Sequence, residues 1–154
     1  MLGLISGGNS QQAGSAKFAT SSSWTVPPGV GRVWVRLFGG GGGGTSPAGA
    51  DMTGGNGCNA FVGPIAVTPA TVIPITVGAG GTAGSGSGTA GAGGSSSFGS
   101  FCSTGGGTGS GPSYTPGISG HDGGQSPSLT GTPSVGAGGV GANPGHAGMV
   151  EIFW

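Results

Sequence analysis

Charge is the scarcest property of this sequence. Only Lys17, Arg32, Arg36, Asp51, Asp122 and Glu151 are formally charged, and they cancel to a net charge of zero over 154 residues. With no basic excess there is no electrostatic footprint for a phosphate backbone, so nucleic acid is a poor partner. Two cysteines, Cys58 and Cys102, are too few for a disulfide scaffold. Free thiols are the favoured state, with a single bridge between them left open. No apolar run approaches the ~20 residues of a membrane-spanning helix, so no membrane span is expected. The opening MLGLISGG has neither a positive stretch nor a long apolar segment, so it does not read as a signal peptide. No stretch combines a 3.6-residue apolar period with capping residues, and essentially no α-helix is expected.

Residues that carry chemistry are equally thin. His146, the cysteines and Asp51 show no recognised metal-ligand spacing, so no metal or cofactor is expected. Gly39, Gly41 and Gly44 satisfy GxGxxG directly after a strand, and two further matches begin at Gly86 and Gly136. A dinucleotide loop needs a helix N-terminus facing the pyrophosphate, and TSPAGADMTGGNG offers none. His121 beside Asp122 amid many serines reads as a polar turn, because a catalytic triad is a geometry that abundant serine imitates by chance. No catalytic residue is assigned, and an enzyme is not expected.

What the chain has in excess is glycine, 43 residues, together with 11 prolines. Such a composition usually signals low complexity. Disorder also draws on net charge or strong polarity, and this chain has little of either, so collapse or assembly is expected instead. The apolar residues concentrate between Lys17 and Val77 and in the last few positions. KFATSSSWTV and GRVWVRLF, around PPG, read as an antiparallel pair; NAFVGPIAV and TVIPITV, around TPA, read as a second. In the longest of these, Val33, Val35 and Leu37 share one face, and Arg32, Trp34, Arg36 and Phe38 the other, placing arginine beside tryptophan. Pro64 and Pro74 point to edges or bulges. SSSFGSF is a weak short strand, and GMVEIFW should close a sheet beside an early strand. Glu151 is placed to pair with Arg32 or Arg36 across the sheet.

The glycine-rich stretch of about 78–148 repeats at three: Gly78, Gly81, Gly84; Gly88, Gly91, Gly94; Gly117, Gly120, Gly123; and Gly136, Gly139, Gly145, Gly148 with Ala142 between. Extended helices with three residues per turn can lie side by side where no side chain holds them apart. A packed sheaf of such segments is expected, and Gly39–Gly44 reads as the junction where the chain leaves the β-core for it. The expected fold is all-β: a small antiparallel β-sandwich-like core with glycine-rich loops or packed polyglycine-II segments. Residues 1–16 form an attachment arm, 17–154 the glycine-rich β domain, and 149–154 its closing strand.

SSWTVPPGVGRVWVRLFGGGGGG, ITVGAGG, SSFGSF and AGMVEIFW, in that order, resemble the glycine-rich domain of bacteriophage tail and tail-fibre proteins. More loosely, the sheaf is similar to that of glycine-rich adhesins at fibre tips. The resemblance implies a non-enzymatic virion protein of the tail region, exposed on the particle and attached to other virion proteins. It also implies contact with a host surface protein or glycan through loops, and a homo-oligomer, trimer or ring. The alternative is a capsid or tail decoration subunit without receptor binding. Asp51, Met52, Tyr114, His121 and Asp122 are the candidate receptor contacts. Trp24, Trp34 and Arg36 are the candidates for a subunit interface.

Overall fold

The computed structural model describes residues 13–46, 51–85, 88–111 and 135–154. Its strands are β1 (Ser15–Phe18), β2 (Ser22–Thr25), β3 (Arg32–Phe38), β4 (Asn59–Ala66), β5 (Val72–Thr76), β6 (Ser96–Phe98), β7 (Cys102–Thr104) and β8 (Met149–Phe153). They form two antiparallel four-stranded sheets, in the order β1-β8-β3-β4 and β2-β5-β6-β7. The protein is all-β, as expected, with no α-helix among the described residues.

The alternation in β3 does what its sequence implies: Val33, Val35 and Leu37 are fully buried, while Arg32 and Trp34 face solvent. Ile73 and Ile75 of β5 and Val150 and Ile152 of β8 bury their faces against the same core. Phe98, fully buried, is the contribution of the glycine-rich half, and its ring lies 6.0 Å from that of Trp24. The closing strand enters between β1 and β3, beside an early strand as expected.

The expected strand pairs do not form. KFATSSSWTV divides into β1 and β2, which belong to different sheets. β2 pairs with β5, and β3 pairs with β4 and β8. Both links read as hairpins, PPG and TPA, instead carry the chain from one sheet to the other. A direct hairpin would leave Val26 and Val30 on a sheet edge; as built, both are buried between the sheets. The Val26 carbonyl accepts from Ala70 at 2.9 Å, and its amide donates to Thr71 at 2.9 Å, tying the two crossings together. Pro64 meets its expectation: it lies in edge strand β4, at a shift in register opposite Val33–Val35. Pro74 does not, since β5 is flanked on both sides. The β6 ladder reaches only Ile75 and Thr76, so the missing amide of Pro74 interrupts nothing. β1 opens at Ser15, inside the stretch assigned to the arm.

Beyond the sandwich the glycines form an ordered sheaf; Gly39–Gly44, where the chain leaves β3 for the sheaf as expected, is also its axis. The six amides donate in rotation: Gly39 and Gly42 to Cys58 and Gly55, Gly40 and Gly43 to Gly94 and Gly91, Gly41 and Gly44 to His146 and Asn143. The carbonyls accept from three other segments: Gly40 and Gly43 from Gly107 and Ser110, Gly41 and Gly44 from Gly81 and Gly84, and Gly42 from Gly139. A partner that recurs every third residue is the signature of an extended threefold helix. The axis is thus enclosed by 54–58, 105–110, 90–94, 78–84, 143–148 and 136–141. These neighbours also bond to one another around the ring, through pairs such as Gly55 to Thr108, Gly93 to Gly107 and His146 to Ala137.

Why six glycines are needed follows from the enclosure. A threefold segment with neighbours on every side has no outward face, and a Cβ at any position from Gly39 to Gly44 would overlap a backbone carbonyl oxygen of an adjoining segment. Outer segments need glycine wherever a Cβ would meet an adjoining segment: Gly78 and Gly81 face Gly94 and Gly91, three residues apart, while Gly80 faces Gly145. The series from Gly136 to Gly148 is two antiparallel segments, reversed where Asn143 donates to the Gly141 carbonyl and Gly141 takes φ +59°. The sheaf also draws in 39–44 and 54–58, which precede the stretch assigned to it. The series Gly117, Gly120, Gly123 lies outside the described residues.

Ser96 locks sandwich to sheaf. Its buried hydroxyl donates to the Phe38 carbonyl at 2.6 Å and accepts from the Gly78 amide at 2.9 Å, joining the last residue of β3 to the start of a sheaf segment.

Candidate functional site

The molecule has a base and a tip. At the base, Gly14 and Trp154 exchange backbone hydrogen bonds of 2.7 and 3.0 Å, so the start of β1 and the end of β8 lie together. At the tip the sheaf segments turn. Thr45 and Met52 form a bridge across one reversal, Gly88 donates to Ser85 in another, and Asn143 to Gly141 in a third. Ser110, leaving the sheaf at the same level, donates its amide to Gly43. Beneath these turns the fully buried hydroxyls of Thr45 and Ser110 meet at 3.1 Å, closing the end of the axis.

Two of the candidate contacts are found here. Asp51 is exposed and accepts a hydrogen bond from the Ser46 hydroxyl, which holds its carboxylate against the α-carbon of Gly141. Met52 is half-buried, fixed by its backbone bridge to Thr45. Tyr114, His121 and Asp122 lie outside the described residues. The sequence reading passed over Val140, 54% exposed, and Asn143, whose side-chain amide donates to the Val140 carbonyl at 2.7 Å. The signal for them was present: an apolar residue and an asparagine interrupting a glycine series mark a turn.

A second surface lies on the outer face of the sheet containing β3. Arg36 sits opposite Glu151 on one side and Phe61 on the other. Its guanidinium pairs with the Glu151 carboxylate at 3.3 Å, and Lys17 approaches the same carboxylate at 3.8 Å. Of the two arginines offered for this pairing, Arg36 is the one that makes it. The ring contacts of Arg36 are with Phe61 and Phe153, at 5.8 and 5.6 Å from the centroids, not with the tryptophan expected beside it. Phe61 and Phe153 were missed because cross-strand pairing brought them in from β4 and β8.

The three interface candidates separate. Trp34 and Arg36 are on this outer face, Trp34 with 38% of its surface exposed. Trp24 is a core residue, 7% exposed, between Phe98 and Trp154 at 6.0 and 5.3 Å, which leaves it no face for a neighbour. Cys58 and Cys102 are free thiols. Burial pushes the Cys102 thiol above its ordinary pKa, against a smaller downward pull from a backbone hydrogen bond with Phe98. No helix among the described residues is long and apolar enough to cross a membrane.

No curated protein matches the chain. A family model described as a glycine-rich domain matches residues 6–151, covering both the sandwich and the sheaf, and the chain belongs to that glycine-rich domain family.

Proposed function

We propose that this protein is a non-enzymatic structural component of a bacteriophage particle, in the tail or tail-fibre region, that attaches the particle to a host surface. What supports the reading best is the polarity of the molecule. Gly14 and Trp154 meet at the base, while the turns at Asp51–Met52, Ser85–Gly88 and Gly141–Asn143 gather at the opposite end of a cross-linked sheaf. Recognition is commonly carried by loops that a rigid scaffold positions. A sheaf whose amides and carbonyls bond sideways in every direction is such a scaffold, with little side-chain entropy to lose. Its lack of charge suits assembly in many copies, and a trimer or ring would add the burial that a small core lacks.

The test is competition. Purified protein should bind cells of the host and slow adsorption of the intact phage, and Asp51→Ala together with Asn143→Ala should reduce that binding without lowering the melting temperature. Antibody labelling of the particle should mark the tail. Labelling on the capsid, with no effect on adsorption, would instead identify a decoration subunit.

A further inference from the structure

We propose that the outer face of the β1-β8-β3-β4 sheet binds an acidic polysaccharide, with a sugar ring on Trp34 and the sugar carboxylate on Arg32. This site is separate from the tip and does not depend on the protein belonging to a phage particle.

Charge segregation carries the inference. The chain has three basic residues, and all of them, Lys17, Arg32 and Arg36, stand on this one face. Among the described residues the only acid beside them is Glu151, whose carboxylate is shared between Lys17 and Arg36. The other described acid, Asp51, is at the far tip. A protein of zero net charge therefore presents a cationic sheet face. Arg32 makes no ion pair among the described residues.

The aromatic side chains define what kind of anion fits. Arg32, Trp34 and Arg36 follow each other along one face of β3, which sets successive side chains about 6.6 Å apart. Trp34 is exposed between two cations, and Phe61, 47% exposed, extends the row on β4. A pyranose offers an apolar C–H face to stack on an indole, and a uronic or sialic acid adds a carboxylate for a guanidinium. Arg36 is held in place by Glu151 and two rings, so little ordering is needed when a ligand arrives.

Size and sign exclude the simpler occupants. Four strands at about 4.8 Å spacing give a strip about 15 Å wide. A standard protein partner covers ~800 Å² per side and would have to reach beyond a strip of this width. A second copy placed face to face would set cations against cations.

The test uses the full chain and a linear trimer of galacturonic acid, with maltotriose, polyglutamate and a single-stranded DNA oligonucleotide alongside, read by titration calorimetry. The uronate trimer should bind, and the neutral trimer should not. Affinity should fall as salt rises from about 0.01 M to about 0.15 M, where screening shortens from ~30 Å to ~8 Å. Trp34→Ala and Arg32→Gln should each weaken binding at least about fivefold, while Asp51→Ala at the tip leaves it unchanged. Melting curves of the variants should match that of the parent. Absence of binding to the uronate, equal binding of polyglutamate or DNA, or indifference to both face substitutions would each overturn the proposal. None of those results would touch the adsorption experiment, which reads the tip.

Discussion

Gly41 donates its amide hydrogen to the His146 carbonyl at 2.9 Å, joining the six-glycine run to the last glycine-rich stretch of the chain. The Gly41 carbonyl meanwhile accepts from Gly81 at 2.8 Å, and its α-carbon lies against Ala137. One glycine thus touches three segments, and the axis is fixed from every side.

Gly42→Ala should therefore be severe. Its Cβ would overlap the Thr108 carbonyl, and neither backbone can retreat without breaking bonds to further neighbours. The cost should reach or exceed the ~1–3 kcal/mol typical of overpacking. Gly31→Ala, with nothing within 4 Å of the added atom, is the control and should melt within a degree or two of the parent. Equal melting temperatures for the two variants would contradict an enclosed axis. Gly139→Val should behave like Gly42→Ala, since its side chain would enter the Asn143 backbone.

Ser96→Ala removes the link between sandwich and sheaf. It strands the Gly78 amide and one lone pair of the Phe38 carbonyl in a buried site. Each abandoned group costs ~1–3 kcal/mol, so urea denaturation should show a loss of at least about 2 kcal/mol. A loss below about 0.5 kcal/mol would mean that water satisfies the site.

The Arg36–Glu151 pair should matter much less. Both side chains keep about a fifth of their surface in solvent, 24% and 19%. A double-mutant cycle with Arg36→Gln and Glu151→Gln should give a coupling of about 1 kcal/mol or less, shrinking with added salt. A larger, salt-insensitive coupling would contradict a solvent-screened pair.

Cys102 should report on folding through pH. Its pKa is raised in the folded protein by burial. The folded state thus holds the thiol proton more tightly than the unfolded chain does. That contribution is complete below the ordinary thiol pKa and is lost as pH rises through the folded value, so stability should decline across alkaline pH. Alkylation followed by mass spectrometry should find Cys102 slower than a model thiol at neutral pH, and Cys102→Ala should flatten the alkaline decline.

Much of this was written locally. Alternation in β3 and β8 named which side chains go inward, because a strand exposes its two faces in strict turn. Spacings of three at Gly78, Gly81 and Gly84 named the threefold geometry, because every third residue of such a segment returns to the same side. The axis was legible in principle: six consecutive glycines give two turns with no side chain on any face, which only a fully enclosed segment requires. Pairing was not legible. Alternation says that Trp24 and Val33 are buried but not that they approach from opposite sheets, and the turn-like PPG and TPA suit a crossing as well as a hairpin. Burial of Val26 and Val30 decides that, and it exists only once both sheets are present. The outer face of the first sheet was half legible, since β3 supplied Trp34 and Arg36, while Phe61, Phe153 and Lys17 arrived by register from strands remote in sequence. By itself the sequence determined the periodicities, and with them an all-β core and an ordered glycine sheaf. Only the tertiary structure decided which strand meets which and which segment stands at the centre, because those choices depend on contacts between parts of the chain that carry no local record of each other.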